Sequence, residues 1–356
     1  MPFGLTWQNW VGFTLETGDN IAYKATGAAG VGETSPTVFL PLAGAESIKR
    51  NPNTMFSPSI ESLLHPMRTS KGAEIVTGSI PVGIPVGLFS GDFMDWAIGT
   101  TGAFTFAGDY YQLPSATLWV AVSNQTGFVK VKKVTGAKVS KVTIESAAGS
   151  NWVNMTLDIV GRDMALDTNA ISLSTILTSI YGSEALATVP EYRHLDSRFY
   201  STAATGAWLP SAAPNPATNY DINSLAWTIV IDNKVSEDGF RLDGEGKLRR
   251  AYNTGREITG TFSKDFRSVT DFGYFLAQTD CRVGHWLYRS AGVSLAFDIP
   301  RCAYNEGDLN NEGDKEAYNK ENYGWRALSI ASPTSPYIVG DALGVYINDV
   351  LVYHGV

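Results

Sequence analysis

The sequence predicts a mostly β protein with two tandem β-barrel or β-sandwich domains, each carrying a short flanking helix. Three observations lead there. Apolar and polar residues alternate with period 2 through many short runs separated by Gly- and Pro-bearing turns. Only 17% of the 356 residues are charged, against about a quarter in ordinary soluble domains, while 44% are hydrophobic. One segment also occurs twice, as Glu74-Ile-Val-Thr-Gly-Ser-Ile80 and Arg256-Glu-Ile-Thr-Gly-Thr-Phe262. The same spacing aligns Asn51 with Asn233, Arg68 with Arg250, Gly91 with Gly273 and Phe93 with Phe275.

Taken in order, residues 1–36 are rich in Gly, Thr and Ala, hold Trp7 and Trp10, and read as an irregular arm. Residues 37–200 form the first domain. Its expected strands are Val38–Leu42, Ala73–Ile80, Thr117–Ser123, Phe128–Val134, Ala137–Ser146 and Trp152–Val160. In the last of these Val153, Met155, Leu157 and Ile159 share one face, and Ala147–Asn151 turns the chain into it. Leu88–Ile98 is the short helix, with Phe93, Trp96 and Ala97 inward, and Ile171–Leu186 reads as a second helix. Residues 201–220 contain Pro210, Pro214 and Pro216 among small residues, the composition of an extended linker. Residues 221–356 form the second domain. Its strands are Leu225–Ile231, the repeated Thr-Gly strand, His285–Arg289, Val293–Ile299, Arg326–Ser332 and Val345–Val352. The helix Ser268–Gln278 sits where Leu88–Ile98 sits in the first, and residues 304–323 read as a polar, acidic excursion.

Little here looks like reaction chemistry. A net charge of −8 does not suit a protein that grips nucleic acid through its phosphates. No run reaches the roughly 18 apolar residues of a membrane span, and Met1–Phe13 lacks the pattern of a secretory signal. Gly27–Thr34 has the glycines of a phosphate loop, but Glu33 stands where lysine is required. Asp308–Gly313 imitates the start of a calcium loop, whose twelfth position is Asn319 and not a carboxylate. His65, His194, His285 and His354 have no metal-ligand spacing, and no Gly-x-Ser-x-Gly elbow is present. Asp243 and Glu245 lie in a Gly-rich turn and read as solvated. Cys281 and Cys302 read as small buried hydrophobes, with a single bridge between them left open. No enzyme activity, cofactor or metal is expected.

Two charged groups are the candidates for self-assembly. Lys130, Lys132, Lys133, Lys138 and Lys141 cluster on adjacent strands; Glu306, Asp308, Glu312, Asp314 and Glu316 line the acidic excursion. Complementary patches of this kind guide association. Reversing the charge at Lys132 and Lys133 is expected to impair assembly.

The order of pieces resembles the major tail tube protein of long-tailed bacteriophages. The likeness lies in Glu33-Thr-Ser-Pro36 and the strand after it, Glu74–Ile80 before a short helix, and Val134–Glu145 turning into Asn154–Gly161. The second half is similar in Leu225–Asn233, Gly255–Phe262 and Val293–Arg301 before a long loop. The resemblance implies a structural virion protein whose domains form six-membered rings that stack into a hollow tube for DNA. Two fused domains imply a homotrimeric, pseudo-hexameric ring. It further implies a tape-measure protein and tail-end proteins as partners, DNA passing through the lumen without specific binding, no membrane, and synthesis in the host cytoplasm. The alternatives are another β-rich virion protein, a two-domain carbohydrate-binding module, or a β-rich glycosidase.

Overall fold

A computed structural model describes residues 10–16, 33–56, 69–86, 88, 91–99, 113–123, 129–150, 152–167, 191–204, 220–237, 240, 247–248, 251, 253–290, 293–310, 320–328, 330–331, 339–340, 343–347 and 350–355. The expected helix Ile171–Leu186 and the proline-rich stretch 205–218 lie outside these residues, as do Arg68 and Arg250.

Alternating side chains make the strands, and the first half begins earlier than expected. Trp10–Leu15 is β1, with Trp10, Val11 and Phe13 in the core, so this part of the expected arm is packed structure. Val38–Leu40 is β2, Lys49–Phe56 is β3 and Thr69–Gly83 is β4. Gly91–Ala97 is helix α1, followed by β5 (Ala116–Ser123). Two strands expected separately merge into one long β6, Val129–Ala147. β7 (Asn154–Gly161) and β8 (Asp163–Asp167) complete the half. The second half holds β9 (Ser197–Ala203), β10 (Ser224–Asp232), β11 (Glu257–Asp265), helix α2 (Thr270–Ala277), β12 (Cys281–Ser290), β13 (Val293–Asn310) and β14 (Lys320–Ala327). β15 (Ile330–Ala331) and β16 (Val339–Gly340) form a small ladder; β17 (Leu343–Ile347) and β18 (Val350–Gly355) form a hairpin where one late strand was expected. Residues 304–310 and 320–323 of the supposed acidic excursion are strand.

The pairings repeat. In the first half the antiparallel order is β1-β5-β6-β7-β4-β3, with β8 also on β6. In the second it is β9-β12-β13-β14-β11-β10, with β17 also on β13. The irregularities repeat as well. The shift between Ala116 and Leu118 on β5 recurs between Cys281 and Val283 on β12, and the shift between Val139 and Lys141 on β6 recurs between Tyr304 and Glu306 on β13. Bulges bend a strand at a set place and pin its register; sharing both aligns the two halves residue by residue. Gly78 opposite Ile159 then corresponds to Gly260 opposite Trp325. One sequence match slips by a position: Asn51, opposite Ile75, corresponds to Asp232, opposite Glu257.

The halves are not separate closed barrels. β6 pairs with β10, and the result is one branched sheet of 16 strands. α1 packs on β6 and α2 on β13. Trp96 of α1 stacks on Phe13 at 4.5 Å and donates its indole N–H to Ala137 O at 2.9 Å. Core chemistry differs between the halves. Val76, Ile80, Val139, Ile144, Leu157 and Ile159 fill the first, whereas Phe199, Phe262, Tyr304, Tyr323 and Trp325 fill the second. Lys264, Asp271 and Glu321 form a buried ionic cluster with Asp221 nearby. Burial disfavours the Lys264 ammonium, but the hydrogen bond and charge of Asp271, with Asp221 and Glu321, outweigh it and raise its pKa.

His285 is wholly buried among Phe199, Trp227 and Trp325, and neither ring nitrogen has a hydrogen-bond partner among the described residues. Burial lowers its pKa to about 3 from an ordinary 6.5. The unfolded chain therefore takes up this proton first, and the contribution is intact above pH 6.5 and lost as pH falls toward 3. The slope is about 1.4 kcal/mol per pH unit from this one group. In acid titrations followed by tryptophan fluorescence, His285→Leu is expected to unfold at lower pH than the parent.

Candidate functional site

No group of three or more His, Cys, Asp and Glu side chains that could hold a metal occurs among the described residues. Cys281 and Cys302 face each other across β12 and β13 as buried free thiols, and burial pushes the Cys281 thiol up to about 11. Their counterparts in the first half are the Ala116–Ala137 pair, so both cysteines occupy places for small core side chains.

The features that remain are strand edges. The joint between the halves shows how such an edge is completed. Lys141, Val142, Thr143 and Ile144 of β6 lie opposite Asp232, Ile231, Val230 and Ile229 of β10. The other side of the same stretch of β6 pairs with β7. Beyond the ladder, the second half also caps α1. Asn233 donates its side-chain amide to Ala97 O and Val139 O, each at 3.0 Å. Arg256 donates to Ile98 O and, at 2.9 Å, to Asn233 Oδ1. The bonds to Ala97 O and Ile98 O satisfy carbonyls that a helix end leaves without partners, and Trp96, Ala97 and Ile98 are fully buried there.

The corresponding edges at the two extremes of the repeat are open. β13 from Cys302 to Asn310 has β14 on one side and no strand on the other among the described residues. β3, the counterpart of β10, pairs with β4 alone among the described residues. Asn305, Glu306 and Asp308 are exposed along the first edge; Lys49 and Arg50 are exposed along the second. Arg50 is bonded to the buried Glu74, a link within one half. α2, which lies against β13, leaves Leu276 66% exposed, in contrast to the covered end of α1.

The predicted lysine cluster is not one exposed face. Lys138 is buried and donates to Ala251 O at 3.0 Å. Lys132 pairs with Glu46 at 2.8 Å and donates to Ile48 O at 3.1 Å. Lys141 pairs with Asp158 at 2.8 Å, and Lys133 sits over the Trp119 ring at 5.5 Å. Lys130 lies at the start of β6, where only its backbone is described. Of the acidic candidates, Glu306 and Asp308 lie on the open edge of β13, and Glu312, Asp314 and Glu316 fall outside the described residues. Lys49 and Arg50 were missed by sequence reasoning; two adjacent bases before Asn-Pro are an ordinary surface pattern until the strand's unpaired edge is known.

No curated protein matches this chain. A family model described as phage tail tube protein matches residues 17–327. That span runs from β2 through β14, all of the repeated strand order but β1, and the chain belongs to the phage tail tube protein family, as a structural component of the virion tail.

Proposed function

We propose that three copies of this chain close a ring with six strand-order units, and that rings stack into the hollow tube through which the genome leaves the virion. The observation that carries the reading is the doubled strand order, with its doubled bulges, joined edge to edge inside one chain. In this reading β1 to β8 and β9 to β18 act as two fused domains of a long-tailed phage, with bounds that differ from the expected 37–200 and 221–356 because β1 precedes residue 37 and β9 spans Ser197–Ala203. A joint that repeats by rotation closes a ring, whereas a head-to-tail contact between rings extends without limit. The net charge of −8 fits a conduit that DNA passes without binding.

Negative-stain electron microscopy of the concentrated full chain tests this. Rings or hollow filaments with three- or six-fold symmetry are expected, and dispersed monomers at every concentration would overturn it. The charge reversal Lys132→Glu with Lys133→Glu is expected to reduce assembly in the same assay, through loss of the Glu46 and Trp119 contacts that hold β6.

A further inference from the structure

We infer that the open edge of β13 pairs antiparallel with the open edge of β3 in the next copy of the chain, in the register of the internal β6·β10 joint. The inference rests on the ring reading above and assigns its contact. β13 is the counterpart of β6 and β3 of β10, so each chain carries both halves of that joint unmatched, one at each end. Transferring the register through the shared bulges and the repeated Thr-Gly strand sets Glu306 opposite Asn51, Gly307 opposite Arg50 and Asp308 opposite Lys49 of the neighbour; the edge ends there, because Ile48 N–H and O are bonded to Glu46 and Lys132 of their own chain.

The charges agree with this register. Directly opposed residues share a face of the sheet, so Lys49 of one copy sits opposite Asp308 and diagonal to Glu306 of the next. In the internal joint the polarity is reversed: Lys141 is on β6 and Asp232 on β10. An edge written acid on β13 and base on β3 fits its own counterpart and repels a β13 edge of another copy. α2, whose Phe275 lies against Gly307 of this edge, carries the exposed Leu276. An apolar residue left bare beside an unpaired strand is accounted for by the same neighbour.

Disulfide trapping in the full chain decides the matter. Lys49→Cys with Asp308→Cys, oxidised after assembly, is expected to give a covalent trimer on a non-reducing gel as monomer disappears. Asn51→Cys with Asp308→Cys, two residues out of register, is expected to give none, because only direct partners bring β carbons close enough to bridge. The native thiols, both buried, do not compete. The second arm is charge exchange. Lys49→Asp alone, or Asp308→Lys alone, is expected to raise the concentration needed for ring assembly about tenfold, and the double exchange is expected to restore it. Rings that form without the Lys49–Asp308 crosslink, or that are not rescued by the exchange, overturn this pairing and leave the ring reading standing. A parent chain that forms no rings overturns both.

Discussion

Gly260→Val is expected to be among the most destabilising single substitutions in this chain. A β carbon at Gly260 would lie 2.3 Å from Thr228 O and 2.3 Å from the Trp325 ring. One obstacle is backbone of the paired strand β10, and the other is a tryptophan with 1% exposure, so neither can retreat cheaply. Overpacking of this kind costs about 3 kcal/mol, and more when backbone must shift. Gly78→Val should behave alike, since a β carbon there would meet the Ile48 Cα at 2.5 Å and N at 2.6 Å. Gly273→Ala is the control. Nothing lies within 4 Å of its added carbon, and alanine within helix α2 should stabilise by roughly 0.5–1 kcal/mol. Urea denaturation of the three variants checks the contrast; equal stability of Gly260→Val and the parent would contradict the packing described.

Asp298→Ala is expected to cost about 3–5 kcal/mol, the loss typical when one partner of a buried ion pair is removed. Asp298 is wholly buried in β13. It accepts hydrogen bonds from Arg282 Nε at 3.0 Å and Tyr200 Oη at 2.7 Å, so it ties β9, β12 and β13 together. Its loss leaves a guanidinium only 16% exposed without its counter-charge. The double variant Arg282→Met with Asp298→Leu should recover most of the loss, because an apolar pair of similar volume carries no desolvation cost. Thermal melts of the single and double variants measure this. A double variant no better than Asp298→Ala would show that the bonds to Asp298, and not the stranded charge, carry the effect.

The repeat was legible in sequence only at Thr77-Gly78 and Thr259-Gly260, and the structure explains why. Both glycines admit the backbone of a neighbouring strand, Ile48 in one half and Thr228 in the other, and no side chain can replace that space. Elsewhere the matching positions hold different chemistry. Val139 corresponds to Tyr304, Ile159 to Trp325, Ile80 to Phe262 and Val120 to His285. Aliphatic side chains at these places in one half and aromatic ones in the other both fill a core, so the topology persists where identity does not. Strand β1 is hidden in the sequence because residues 1–36 are rich in Gly, Thr and Ala and the apolar residues of its run point both ways. Trp10 joins Phe39 and Trp119, while Val11 and Phe13 join the main core. Residues 304–310 were read as a loop because their outward positions are polar, which is how an unpaired edge looks when it avoids indiscriminate pairing.

The sequence determined that the chain is mostly β, where the two short helices of the described residues fall, and that Cys281 and Cys302 serve as small core residues. Period-2 patterning states which side of a strand is buried and is silent about which strand lies beside it, because ladder hydrogen bonds are made by backbone common to every residue. Tertiary structure alone decided the β6·β10 joint, the matching of bulges between the halves, and the stretches of β3 and β13 that have no strand beside them among the described residues.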